Sequence, residues 1–231
     1  MPEILNRDLH RLNHLFEDMG LNVSEQIDLA TKAFLNVDFD AAQKVIDRDV
    51  TINNDKLHLE KLIIQTLALQ QPVASDFRIV MSILKSSTDL ERIGDHAVGI
   101  ARETKAASRE RIAAIDQVLT HMSTTVRNML EQILTAYLKT DVTLAEQVAG
   151  RDLEVDRDFV TVRKLTTQSP ETDGDLIASY LFVSRLLERI GDHVVNIAEW
   201  IVYNHTGKIV ELNLGKQDRR KAEGVSDAAT D

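Results

Sequence analysis

The chain has 231 residues, 43% of them hydrophobic and only 4% aromatic, with 9 Gly, 3 Pro and no Cys. Its 37 acidic and 27 basic side chains leave a net charge of −10. These figures exclude disulfides, thiolate metal sites and cysteine nucleophiles, and they argue against nucleic-acid binding, which needs a basic surface for the phosphates.

An aliphatic composition with so few turn formers predicts few, long elements, and apolar residues recur at helical spacing almost throughout. A first helix is expected from about Ile4 to Leu35, ending at Asn36-Val-Asp38. A second runs from about Asp40 to Gln70 and is stopped by Pro72. Ser75 or Asp76 caps a third, which reaches about Lys105. A fourth spans about Arg109–Lys139, a fifth Val142–Thr167, and a sixth runs from near Asp173 to Asn204, closed by Gly207. The N-terminal segment lacks a basic stretch followed by an apolar one, so no signal peptide is expected. No window approaches the ~18 uninterrupted apolar residues of a membrane span. A cytoplasmic chain is expected, meeting the inner face of the membrane only through partners.

The chain repeats itself. Leu90–Ala101 and Leu187–Ala198 agree at ten of twelve positions and share the run LERIGDH. Phe34–Ala42 resembles Tyr137–Ala145, and Asp49-x3-Asn53-x-Asp55 matches Asp152-x3-Asp156-x-Asp158. All three helices of each half therefore repeat. The predicted fold is all-α: two tandem, duplicated three-helix bundles over residues 1–107 and 108–207, then a polar, disordered tail over 208–231.

Each repeat carries Glu and Asp four residues apart, Glu91/Asp95 and Glu188/Asp192, which puts two carboxylates on one helix face. They lie away from the apolar stripe, at the outer surface or a groove edge. The preceding helices carry Asp49/Asn53 and Asp152/Asp156 at the same spacing. Side-by-side packing of the two helices in each half would gather three or four carboxylates. Such a cluster raises its own pKa values unless a cation sits among it. The plainer alternative is a solvated acidic face. His96 and His193 point about 100° away from the preceding Asp, which favours packing or partner contact over metal ligation. Gly94 and Gly191, inside helices, suggest close approach by a neighbouring helix.

No phosphate-cradling glycine loop, zinc-protease motif or nucleophile elbow occurs, and no catalytic or organic-cofactor residues are expected.

The duplicated ERIGDH block, with the segment Gln71–Ala97 that contains its first copy, resembles the PhoU family of accessory proteins of bacterial phosphate-specific ABC transporters. The resemblance covers about residues 5–205. It implies two similar three-helix bundles with metal sites at paired Glu/Asp-x3-Asp motifs. Carried onto this chain, those positions are Glu91, Asp95, Glu188 and Asp192, with Asp49, Asp152 and Asp156 opposite. Asn53 departs from the pattern, which implies weaker binding or fewer ions at the first site. The metal would be a divalent or trivalent ion bound by carboxylates, such as Mg, Mn, Fe or Zn. The resemblance also implies a negative regulator of the phosphate-starvation regulon that links the transporter's ATPase subunit to a sensor histidine kinase, with homodimers common. The alternatives are a metal-dependent enzyme acting on phosphate esters or polyphosphate, and a metal buffer.

Overall fold

The computed structural model describes residues 3–105, 111–169 and 173–213. It contains α1 (Glu3–Asn36), α2 (Phe39–Gln70), α3 (Ser75–Glu103), α4 (Ala113–Lys139), α5 (Val142–Gly150), α6 (Asp152–Thr167) and α7 (Gly174–Thr206). No strand occurs among the described residues.

The repeated sequence is repeated structure. After α1 the chain turns through Val37 at φ +53°, and Asp38 caps α2 by accepting from the Ala41 amide at 2.9 Å. After α4 it turns through Thr140 at φ +51°, and Asp141 caps α5 by accepting from the Leu144 amide at 3.0 Å. A short side-chain acceptor at the cap satisfies an otherwise orphaned amide and fixes where each helix begins.

Three boundaries depart from the expected ones. The fifth predicted helix is divided at Arg151, where Gly150 weakens the helix and two i→i+3 hydrogen bonds tighten the turn. The fourth begins at Ala113; Arg111, ion-paired to Asp116 at 2.6 Å and stacked between the rings of Phe34 and Tyr180, pins the approach instead. Ser75 is already helical, because the chain turns at Ala74 (φ +48°) with no side-chain cap.

The halves do not stand apart. α1, α3, α4 and α7 form a central four-helix layer, with α2 packed on α1 and α3, and α5 and α6 packed on α4 and α7. Equivalent helices meet antiparallel. In α1 and α4, Ser24 donates to Glu131 at 3.0 Å and Asp28 pairs with Arg127 at 2.8 Å. In α3 and α7, Arg78 donates to the Asn204 carbonyl at 3.1 Å and Ser82 to that of Trp200 at 3.1 Å. The equivalent His96 and His193 face each other across this seam, ring centroids 5.4 Å apart. One aliphatic core, from Leu5 to Ile201, runs through both halves without interruption. Each large side chain fully buried in it contributes about 1.5–3 kcal/mol.

Candidate functional site

The duplicated carboxylates fall at equivalent places, between α2 and α3 in the first half and between α6 and α7 in the second. The surroundings differ. In the first half, Asn53 donates its amide to Asp49 at 3.0 Å, tying the two α2 residues together. Lys56, one turn beyond Asn53, reaches Glu91 at 3.3 Å. Arg92 lies 3.5 Å from Asp95 and 3.8 Å from Glu91. Burial, and then the nearby charges of Glu91 and Asp49, raise the pKa of Asp95 above the usual carboxylate value. Of these causes Asp49 acts from the other helix, so α2 brings one carboxylate close enough to repel that of Asp95. One Glu91 oxygen, Oε2, is shut off from solvent with no hydrogen-bond partner.

In the second half the position of Lys56 is taken by Phe159. The cation comes from the other helix: Arg185 of α7 meets Glu188 at 2.6 Å and lies over the Phe159 ring at 5.7 Å. Each duplicated glutamate thus has an in-chain cation, supplied from opposite sides in the two halves. The second cluster is also deeper. Glu188 is 2% exposed and Asp152 5%, so the expected outer-surface placement fails for Glu188. Gly191 explains the depth. It lets α6 approach so closely that a Cβ there would run into the Asp152 carboxylate. A Cβ at its counterpart Gly94 would meet Ile52 and Gln26 at 3.3–3.4 Å, tight but an easier fit.

The chain beyond α7 completes the second cluster. The Leu212 amide donates to Glu199 at 2.9 Å, and Leu212 packs against the core. Asn213, 4% exposed, donates to Asp192 at 2.7 Å and to Asp152 at 3.4 Å. The carboxylates of α6 and α7 therefore both lie within reach of one amide nitrogen. The segment expected to be a free tail from residue 208 is docked as far as 213, and residues 214–231 lie outside the described residues. Asp156 stands one turn further along α6, in a groove with Phe159 and Arg185.

All eight sequence-derived positions thus lie in two clusters, four in each half. Among the described residues, however, no three acidic or imidazole side chains converge tightly enough to hold one ion as they stand. The donor chemistry fits a hard, oxygen-seeking cation: crowded aspartates, side-chain amides and a buried Glu91 oxygen that accepts no hydrogen bond. His96 and His193 lie outside both clusters. His193 is held by Asp89 of α3 at 2.9 Å, which also accepts from Asn196 at 2.9 Å. This is the packing role that their spacing suggested. Sequence reasoning missed Lys56, Arg185, Asp89 and Asn213. Only Lys56 left a signal, lying two turns from Asp49 on one face of α2.

The PhoU domain family model matches the chain twice, at residues 16–104 and 119–201. This chain belongs to the PhoU family. The PhoU relatives include the phosphate-specific transport system accessory protein PhoU homolog of Streptococcus pneumoniae, 33% identical over 209 residues. That alignment covers 89% of this chain and 97% of the relative. The accessory protein PhoU of Escherichia coli is 32% identical over 206 residues, covering 88% and 86%. The crystal structure of the phosphate transport system regulatory protein PhoU from Streptococcus pneumoniae superposes with a TM-score of 0.84 at 30% identity, covering 89% of this chain and 99% of that one. PhoU from Pseudomonas aeruginosa superposes at 0.81 with 34% identity, covering 88% and 99%. The all-α fold and the duplicated PhoU unit are thus those of a known family, and no described helix is long and apolar enough to cross a membrane.

Proposed function

We propose that this chain is a regulatory accessory protein of a phosphate-specific transport system and a negative regulator of the phosphate-starvation response. The observation that carries the reading is likeness at about a third identity, over nearly nine-tenths of the chain, to proteins named for that role. The chain acts by contact, joining the transporter's ATPase subunit to a sensor histidine kinase at the inner face of the membrane, and it is not an enzyme. The shape supports contact as the mode of action: long helices leave broad lateral faces on which partners can dock. In its native host deleted for the chromosomal copy, the chain restores repression of a phosphatase reporter at high phosphate. A reporter that stays derepressed despite folded chain in the cell would overturn the reading.

The two carboxylate clusters bind divalent cations in this reading. Asp49, Glu91 and Asp95, with Asn53, form one site, and Asp152, Asp156, Glu188 and Asp192 the other. A cation there supplies positive charge to crowded carboxylates and locks α2 to α3 and α6 to α7. Calorimetric titration of metal-free chain with Mn²⁺ should show binding that Asp95→Asn weakens in the first half and Asp192→Asn in the second. Heats unchanged by either substitution would contradict metal binding at these positions. Homodimerisation, read from sedimentation, belongs to the same proposal.

A further inference from the structure

The duplication lets each surface position of one half be compared with its counterpart in the other. Along α2 and α3 the outer positions are Asn54, Lys56, Leu57, Glu60, Lys85 and Thr88. Their counterparts along α6 and α7 are Arg157, Phe159, Val160, Arg163, Phe182 and Arg185. The first set is polar and charged, with Leu57 its one apolar member. In the second, both lysines have become phenylalanine, and arginine has replaced Asn, Glu and Thr. Aromatic residues and arginine are the types enriched in protein interfaces, where lysine and glutamate are depleted.

The second set forms one surface. α6 and α7 run antiparallel, with Asp152 against Gly191 and Phe159 against Arg185. The same register carries Arg163 to the level of Phe182. Phe182 is 48% exposed and Val160 59%. Between the helices opens a groove of about 460 Å³, lined by Asp156, Phe159, Val160, Arg163 and Arg185. It continues through Asp156 and Val160 into a second hollow of about 410 Å³ that reaches Arg157. Arg185 is matched by Glu188, whereas among the described residues no carboxylate stands within ion-pair distance of Arg157 or Arg163. Arg157, Arg163 and Arg185 outnumber Asp156, the carboxylate that lines both hollows, a local excess of positive charge in a chain of net charge −10. The exposed Val50, Leu57 and Ile64 of α2 have no such rim; the charges around them are of mixed sign.

We propose that the groove between α6 and α7 docks an acidic amphipathic helix of a partner protein. Its apolar side chains seat on Phe159, Val160 and Phe182, and its carboxylates meet Arg157 and Arg163. Two antiparallel helices offer a trough that a third helix fills with residues spaced i, i+3, i+4, i+7. Guanidinium groups beside aromatic faces suit carboxylates, because the planar donor fork pairs with the acid while its face stacks on the ring. The proposal rests on the accessory-protein reading, in that a protein acting by contact needs such a face.

The test uses the full chain and a fluorescein-labelled helical peptide of about 18 residues. The peptide has Leu and Phe along one stripe and Glu on both flanks, and the control carries Lys on the flanks. Fluorescence anisotropy should show the Glu peptide binding at least about tenfold more tightly than the Lys peptide. Binding of the Glu peptide should fall by about tenfold or more in the Arg157→Glu/Arg163→Glu double variant and in Phe182→Ser, and should be unchanged in Leu57→Ser. Equal binding of both peptides, or no loss in the α6/α7 variants, would overturn the proposal. So would sedimentation showing that Phe182→Ser turns a dimer into a monomer, since the face would then belong to a second copy. The cell reporter separates this from the broader reading. If the double variant represses as well as the natural chain, the groove proposal falls and the accessory role stands. If the natural chain fails to repress, the accessory role falls and the peptide measurements decide the groove alone.

Discussion

At the scale of single residues, His96 shows what burial at the seam between the halves does to an ionisable group. Burial, then the facing His193 ring and the guanidinium groups of Arg189 and Arg92, oppose its protonation. Asp192 offsets them only in part, and the pKa falls from 6.5 to about 4. The unfolded chain therefore binds a proton that the folded chain refuses between those values. His96 contributes stability that is complete above pH 6.5 and is lost as pH falls towards 4. After discounting for solvent screening, the loss amounts to about 1–2 kcal/mol. Urea unfolding from pH 7.5 to 4.5 should show a steeper fall for the natural chain than for His96→Asn. Parallel curves would contradict the assignment. Residue spacing made the carboxylates legible, because Glu91/Asp95 and Glu188/Asp192 form within single helices. Their partners were not legible. Arg185 replaces Lys56 from a different helix, and Asn213 arrives 21 residues after Asp192 on a segment without periodicity. Such contacts depend on which helices meet, and no local pattern encodes that.

At the scale of elements, the helices were readable because apolar periodicity runs along them, and a capping aspartate marks three of the starts, at Asp38, Asp141 and Asp173. Reading failed where the Arg111–Asp116 clamp against Phe34 and Tyr180 sets the approach to α4, and where Gly150 and two i→i+3 hydrogen bonds divide α5 from α6 at Arg151. The mid-helix glycines were read correctly as points of close approach, but sequence could not rank them. The structure does. A methyl group at Gly191 collides with the Asp152 carboxylate, whereas one at Gly94 meets Ile52 and Gln26 at ordinary to tight contact. Gly191→Ala should therefore destabilise by about 1–3 kcal/mol and push α6 outward. Gly94→Ala should be close to neutral, because better helix propensity offsets a mild squeeze. Thermal unfolding of the two variants checks the order, and equal midpoints would contradict the packing.

At the scale of the molecule, the core is continuous, and among the described helices α3 and α7 form the most extensive pairwise contact, across the boundary between the halves. The chain should therefore unfold as one unit, despite its two matching segments. Far-ultraviolet dichroism and Trp200 fluorescence should give the same midpoint in urea within error; two separated transitions would show that the halves hold themselves up independently. The central antiparallel meeting of equivalent helices has the geometry of a symmetric pair of three-helix units joined into one polypeptide.

That joining has a consequence for variation. Between two identical subunits, any substitution at a two-fold interface is made twice, and the two new side chains must tolerate their mirrored surroundings. In a fused pair each position is free of its twin. At this seam Asp89 holds His193 and Asn196, while its counterpart Leu186 lies against Gly99, the counterpart of Asn196. One side of the axis is polar and the other apolar, and neither choice was forced on its partner. A gene that carries both copies can thus specialise one flank for recognition and keep the other as scaffold, an option closed to the symmetric assembly it resembles.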